Sequence, residues 1–298
     1  MAVLCQLILY ITILSRMEIK SHKINRKSAI ILLIITGLLW SIAGVLIKSI
    51  PWPPAAIAGL RSGLAALTML IYLRRPHFTW SKYQIGAALA YAATVTLFVI
   101  ANKLTTAGNA ILLQYTAPVY VALLSYTFLG ERSTKVDWLV IVIILTGLIM
   151  FFMDDLTMQG YLGNACAMLA GIAFAVFTIF LRKQKNASPG ESILLGNILT
   201  LFIGLPAIIT SVTWELQPWL MMFILGIFQL GIPYILFSIA IKHVSALDAI
   251  IYPTIEPIIN PVLVFIIIGE ALGPWAVWGG VLILGGVLFR GIVQNYRN

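Results

Sequence analysis

Residues 101–131, ANKLTTAGNAILLQYTAPVYVALLSYTFLGE, lie without a gap on residues 240–270, AIKHVSALDAIIYPTIEPIINPVLVFIIIGE. Lys103 falls on Lys242, Pro118 on Pro257, and Gly130-Glu131 on Gly269-Glu270. Self-similarity of this length means that one structural unit is used twice. The surrounding sequence fixes the solvent: of 298 residues, 61% are hydrophobic and 10% charged, against about 25% charged in soluble domains. Runs of about 20 apolar residues cross the hydrocarbon core as helices, because other lipid-exposed backbone would leave its polar groups without partners. The sequence therefore predicts an all-α membrane protein built from two halves, the usual construction of a secondary transporter.

Ten transmembrane helices are expected, at 29–49, 54–73, 83–102, 107–129, 136–153, 160–181, 191–212, 218–240, 246–268 and 274–292. Connectors such as PWPP (51–54), GERSTK (130–135) and EALGP (270–274) have no room for a folded domain. Residues 1–28 are expected to form a cytoplasmic N-terminal segment, 29–153 the first five-helix repeat and 160–292 the second. Five is odd, so the second half enters the membrane upside down and the two form inverted five-helix repeats. Such halves can rock about a site between them, which is alternating access.

Lys and Arg accumulate on the cytoplasmic side. With both termini inside, Arg16 to Lys27, Arg74, Arg75, Lys82, Arg132, Lys135, Arg182, Lys183, Lys185, Lys242, Arg290 and Arg297 share that side, leaving Lys48 and Lys103 opposite. Asp154, Asp155, Glu215 and Glu270 then lie in outer loops. The net charge of +9 is read as this topology signal, and no nucleic-acid partner is expected. Residues 1–16 hold an apolar run too short to span, and Met17 opens a tract that reads as a better cytoplasmic start. That segment is taken as a start-site artefact or a dispensable extension. Cys5 and Cys166 offer no disulfide framework, and His22, His77 and His243 have no metal-ligand spacing. Neither catalytic residues, metal nor cofactor are expected, and the chain is not read as an enzyme.

Two ionisable residues fall well inside the expected spans: Arg61 and Glu256. An unpaired charge in hydrocarbon costs at least about 2.5–3.5 kcal/mol, so each needs a partner. Arg61, between Gly59 and Gly63, reads either as a structural partner or as a clamp for a substrate carboxylate. Glu256 sits in DAIIYPTIEPIINPVLVF, where Pro253, Pro257 and Pro261 recur every four residues along one helix face. The prolines leave the carbonyls of Ala249, Pro253 and Pro257 without helical donors, which suggests a kinked, hydrated helix lining a cavity. Glu256 and Asn260 are its polar candidates, for an ammonium group or a coupling proton; packing alone is the other reading of the prolines. Further substrate-binding candidates are Trp40 with Ser41, Tyr91 with Thr94, Gln114 and Tyr115 beside a single kink expected at Pro118 in span four, Gln229 and Tyr234 beside Pro233, and Tyr252. Glu131 and Glu270 are read as fixing the turns that end spans four and nine, or else as gating salt bridges, with Arg132 and Lys135 near Glu131. Spans five and ten, with Gly147 and with Gly279, Gly280, Gly285 and Gly286, hold almost no polar side chains and read as peripheral packing or homodimer surfaces.

The chain resembles the drug/metabolite transporter superfamily, in its EamA-type ten-helix branch. The likeness runs from about residue 29 to 292. It rests on Trp40 followed by Lys48, on Arg61, on Pro118 with Gly130-Glu131, and on Glu256-Pro257 with Gly269-Glu270. The Asn260-Pro261 pair and the N-terminal extension depart from the pattern. The resemblance implies an inner-membrane carrier, often an exporter of amino acids or other small metabolites, with a cavity formed mainly by spans one to four and six to nine. A facilitative carrier, a drug carrier or a non-transporting subunit are the alternatives.

Overall fold

A computed structural model describes residues 24–153, 160–259 and 274–297. The described residues are helical throughout their regular segments, with no strand. Eight of the helices are long and apolar enough to cross a membrane: Arg26–Ser49, Pro54–Leu73, Lys82–Leu104, Gly108–Leu129, Tyr161–Lys183, Pro189–Ser211, Leu216–Ala240 and Trp275–Val293. Lys135–Phe151 supplies span five. Span nine begins at Ala246 and is described as far as residue 259. The fold is thus an all-α membrane protein of ten helices in two inverted five-helix repeats. Asn260, Pro261, Glu270, Asp154, Asp155, Cys5 and residues 1–16 lie outside the described residues.

The inversion is visible where the duplicated segments meet. Glu131, just past the end of span four, accepts a hydrogen bond at 2.9 Å from the backbone N–H of Ala246 at the start of span nine. The two copies therefore run in opposite directions. Span five starts where span ten finishes, since Asp137 pairs with Arg290. Arg26, which pairs with Asp248, and Arg290, which reaches the same Asp248, consequently lie at one face of the bundle, called here the terminal face.

Close packing between the halves depends on small residues. Spans two and seven cross at Gly59 and Gly204: a Cβ on Gly59 would stand 2.9 Å from the Cα of Gly204. Glycine at such crossings lets helix backbones approach where dispersion, with no hydrophobic drive between helices, holds them together. Gly204→Leu is expected to lower stability by about 1–3 kcal/mol through overpacking, read as a lower midpoint of thermal unfolding in detergent. Gly285→Ala is the control. Nothing lies within 4 Å of a Cβ there, and its effect should stay within about 0.5 kcal/mol.

Four spans are interrupted, and each interruption has a local cause. Span one comprises Arg26–Trp40 and Ala43–Ser49. At the gap the Ser41 hydroxyl donates to the carbonyl of Leu38 at 2.6 Å, a local bond that competes with the helix ladder. Span four divides into Ala107–Gln114 and Ala117–Leu129, because Pro118 has no N–H for the carbonyl of Gln114. Span eight widens into a π-helix over Ile224–Gly231 before Pro233. Span nine runs as an α-helix over Ala246–Ile251 and tightens to a 3₁₀ turn over Tyr252–Ile255, around Pro253. The prolines foretold the breaks in spans four and nine; span one was expected to be continuous.

Candidate functional site

The interruptions converge. A cavity is lined by Trp40 from the break in span one, Gln114 and Tyr115 from that in span four, Gln229 from the π-helix and Glu256 beyond the 3₁₀ turn. Arg61, Thr94, Phe98, Phe174 and Tyr234 complete its polar and aromatic wall. Broken helices at mid-membrane supply free backbone groups and bend side chains toward a shared centre, which is how transporters build binding sites. π-helical turns likewise concentrate at functional positions.

The span-nine break behaves as its prolines demand. The carbonyl of Pro253, which cannot bond to a residue-257 N–H, receives the N–H of Glu256 and lies 3.2 Å from the Tyr115 hydroxyl. That hydroxyl donates to Glu256 Oε2 at 2.6 Å, so the break in span four holds the carboxylate at the break in span nine. Span one reaches the same place at Gly37, where a Cβ would come within 2.7 Å of the Pro253 carbonyl oxygen. Any larger residue there would push spans one and nine apart.

Arg61 does not turn outward. It is 2% exposed, with Nη1 donating to Gln229 Oε1 at 3.4 Å and Nη2 to the Val95 carbonyl at 3.3 Å. Its Nε and the Trp40 Nε1 are buried donors without a hydrogen-bond partner. Among the described residues no carboxylate pairs with Arg61 and no cation with Glu256. The cavity therefore contains a fixed cation and a carboxylate, neither of them neutralised by an ion pair. Around them stand aromatic rings: Trp40 lies 5.2 Å from Tyr234 and 5.9 Å from both Phe174 and Phe237, centroid to centroid.

Of the substrate-binding candidates read from sequence, Trp40, Gln114, Tyr115, Gln229, Tyr234 and Glu256 line the cavity together with Arg61. Tyr91 does not. It is fully buried behind Tyr234, with ring centroids 4.8 Å apart, and donates to Asn197 at 3.0 Å. Tyr252 is also outside: it accepts from Arg26 at 3.5 Å, because the helix turns it toward the terminal face, four residues from Glu256. Asn260 lies beyond the described residues. Phe98, Phe174 and the Phe177/Phe237 layer behind them had no signal in the sequence, since a cavity-facing phenylalanine and a lipid-facing one read alike in an apolar run.

Glu131 is placed differently from its expected surroundings. Its partner is Arg182 of span six at 2.8 Å, while Arg132 turns away to stack on Tyr126. Glu270 is outside the described residues. Spans five and ten, expected to be almost free of polar side chains, carry a buried ion pair between Asp137 and Arg290.

The EamA-like transporter family sequence model matches residues 27–153 and 161–291. An uncharacterized transporter of Archaeoglobus fulgidus is 26% identical over 86% of this chain and 93% of its own length. The threonine/homoserine exporter RhtA of Escherichia coli (strain K12) is 21% identical over 73% of this chain and 75% of its own. The uncharacterized transporter YdfC of Bacillus subtilis is 28% identical over 70% and 71%. A solved crystal structure superposes with a TM-score of 0.74 at 20% identity, over 88% of this chain and 96% of that one; this likeness concerns the fold.

Proposed function

Because this chain belongs to the EamA-like transporter family, a family of multi-pass membrane transporters, we propose that it exports small zwitterionic metabolites, amino acids or similar amphipathic solutes, by alternating access. The observation that carries the reading is the pairing of Arg61 and Glu256 in one aromatic-walled cavity, each without an ion-pair partner among the described residues. An α-carboxylate would take Arg61 Nε and Trp40 Nε1, two donors of cavity-lining residues that have no partner among the described residues. An α-ammonium would take Glu256, which lines the same cavity. Such a solute settles both buried charges at once, and buried polar groups gain most when every member of a network is satisfied. The rings of Trp40, Phe174 and Tyr234 would hold its apolar part.

The relative that is named an exporter of threonine and homoserine favours amino acids and outward flux. Lys and Arg collect at the terminal face, which we therefore assign to the cytoplasm, with the chain in the cell membrane. Glu256, part-buried at the cavity wall and reached by one hydroxyl, is the group we assign to proton exchange. A carrier of cationic amphipathic drugs is the competing reading, favoured by the aromatic wall. It would need Glu256 but not Arg61.

Purified protein in liposomes tests this. Counterflow of radiolabelled neutral amino acids is expected, with amines that lack a carboxylate exchanging poorly; the reverse preference would sink the zwitterion reading. In Glu256→Gln, transport driven by an imposed pH gradient should vanish. If that gradient still drives accumulation at the wild-type level, Glu256 does not carry the proton.

A further inference from the structure

We propose that the ion pairs of the terminal face form a gate, a lock between the two halves that closes the cavity on that face and separates whenever the face opens. The inference rests on the alternating-access reading above. Arg26 of span one meets Asp248 of span nine at 3.2 Å. Glu131, after span four, meets Arg182 of span six at 2.8 Å. Asp137 of span five meets Arg290 of span ten. Each pair has one member in the first half and one in the second, so each must part when the halves rock apart at this end. Arg290 Nε also reaches Asp248 at 2.8 Å, which joins the first and third pairs into one chain of four charges.

The chemistry suits a switch better than a rivet. The side chains of Asp248 and Arg290 are 3% and 2% exposed, so closing the network removes charge from water, and the desolvation penalty offsets most of the Coulomb gain. A polar pocket is lined by these same side chains. Water entering there would hydrate the charges once they part, leaving none stranded. Closed and open arrangements are therefore close in free energy, as a gate requires. The opposite ends of the halves are joined in another way, by neutral bonds such as Trp52 to Thr213 at 3.2 Å and Thr105 to Asn164 at 2.7 Å. The lock also reaches the cavity: Glu131 holds the N–H of Ala246, at the start of the span that carries Glu256.

Ser125 reports on the gate. It lines the terminal-face cavity, is 3% exposed, and its hydroxyl has no partner. Full-length protein with Cys5 and Cys166 replaced and Ser125→Cys introduced is placed in nanodiscs and treated with a charged maleimide. Arg26→Gln and Glu131→Gln, at the more exposed members of the network, should together raise the labelling rate by about tenfold. Gly204→Leu, which loosens spans two and seven without touching the network, should not raise it. An unchanged rate in the double variant overturns the gate, and so does an equal rise in Gly204→Leu. Labelling needs no substrate: if no solute gives counterflow and the rise persists, the carrier reading falls and the lock stands.

Discussion

Arg61→Met is expected to lower counterflow of zwitterionic amino acids by at least about 100-fold, the consequence of removing one partner from a desolvated charge pair that costs about 2–5 kcal/mol. The same substitution should leave the thermal midpoint unchanged or raise it. Arg61 is buried against Gln229 and a backbone carbonyl, with no carboxylate among its described partners, so the folded protein bears its desolvation without the Coulomb return of an ion pair. Methionine of similar length removes that cost. Activity and stability should therefore move apart. A fall in the midpoint together with the loss of counterflow would mean that Arg61 is structural, the bland reading that its position between Gly59 and Gly63 also allowed. Amines without a carboxylate give a second check, because their exchange should be far less sensitive to the substitution.

The fold was legible because its causes are written along the chain. Apolar runs set the spans, the repeat set the inversion, and Pro118, Pro253 and Pro257 announced where spans four and nine would lose their ladders. Arg61 and Glu256 stood out since nothing else so far inside a span can ionise. What stayed hidden depends on neighbours contributed from elsewhere. Asp137, Asp248 and Arg290 lie within a turn or two of span ends, where a linear reading assigns them to the interface. Only the packing of spans five, nine and ten buries them. Asp137 is also the capping-box partner of Thr134, while its second oxygen serves Arg290. The break at Ser41 and the π-helix before Pro233 gave no period of their own. Tyr91 and Tyr252 fall outside the cavity lining: a tyrosine in an apolar helix marks a polar contact without saying which side of the helix holds it.

Arg290→Met is expected to do the opposite of Arg61→Met. Arg290 joins Asp137 and Asp248 at once, so its loss leaves two carboxylates facing each other, with Arg26 reaching only one of them. Breaking a buried pair from one side costs about 3–5 kcal/mol, which should appear as a large fall in the thermal midpoint. Arg290→Lys should recover part of it. An ammonium keeps the charge but lacks the planar fork that serves two acceptors from one side chain. Arg290→Met combined with Asp137→Asn and Asp248→Asn should recover more, since the penalty lies in the stranded charges and is not a sum of lost attractions. If the triple variant is no more stable than Arg290→Met, the loss is one of packing and the ion network has been given too much weight. The contrast between the two arginines follows from who would neutralise them: at the terminal face the protein supplies both carboxylates, and in the cavity, on the function proposed above, the solute brings one.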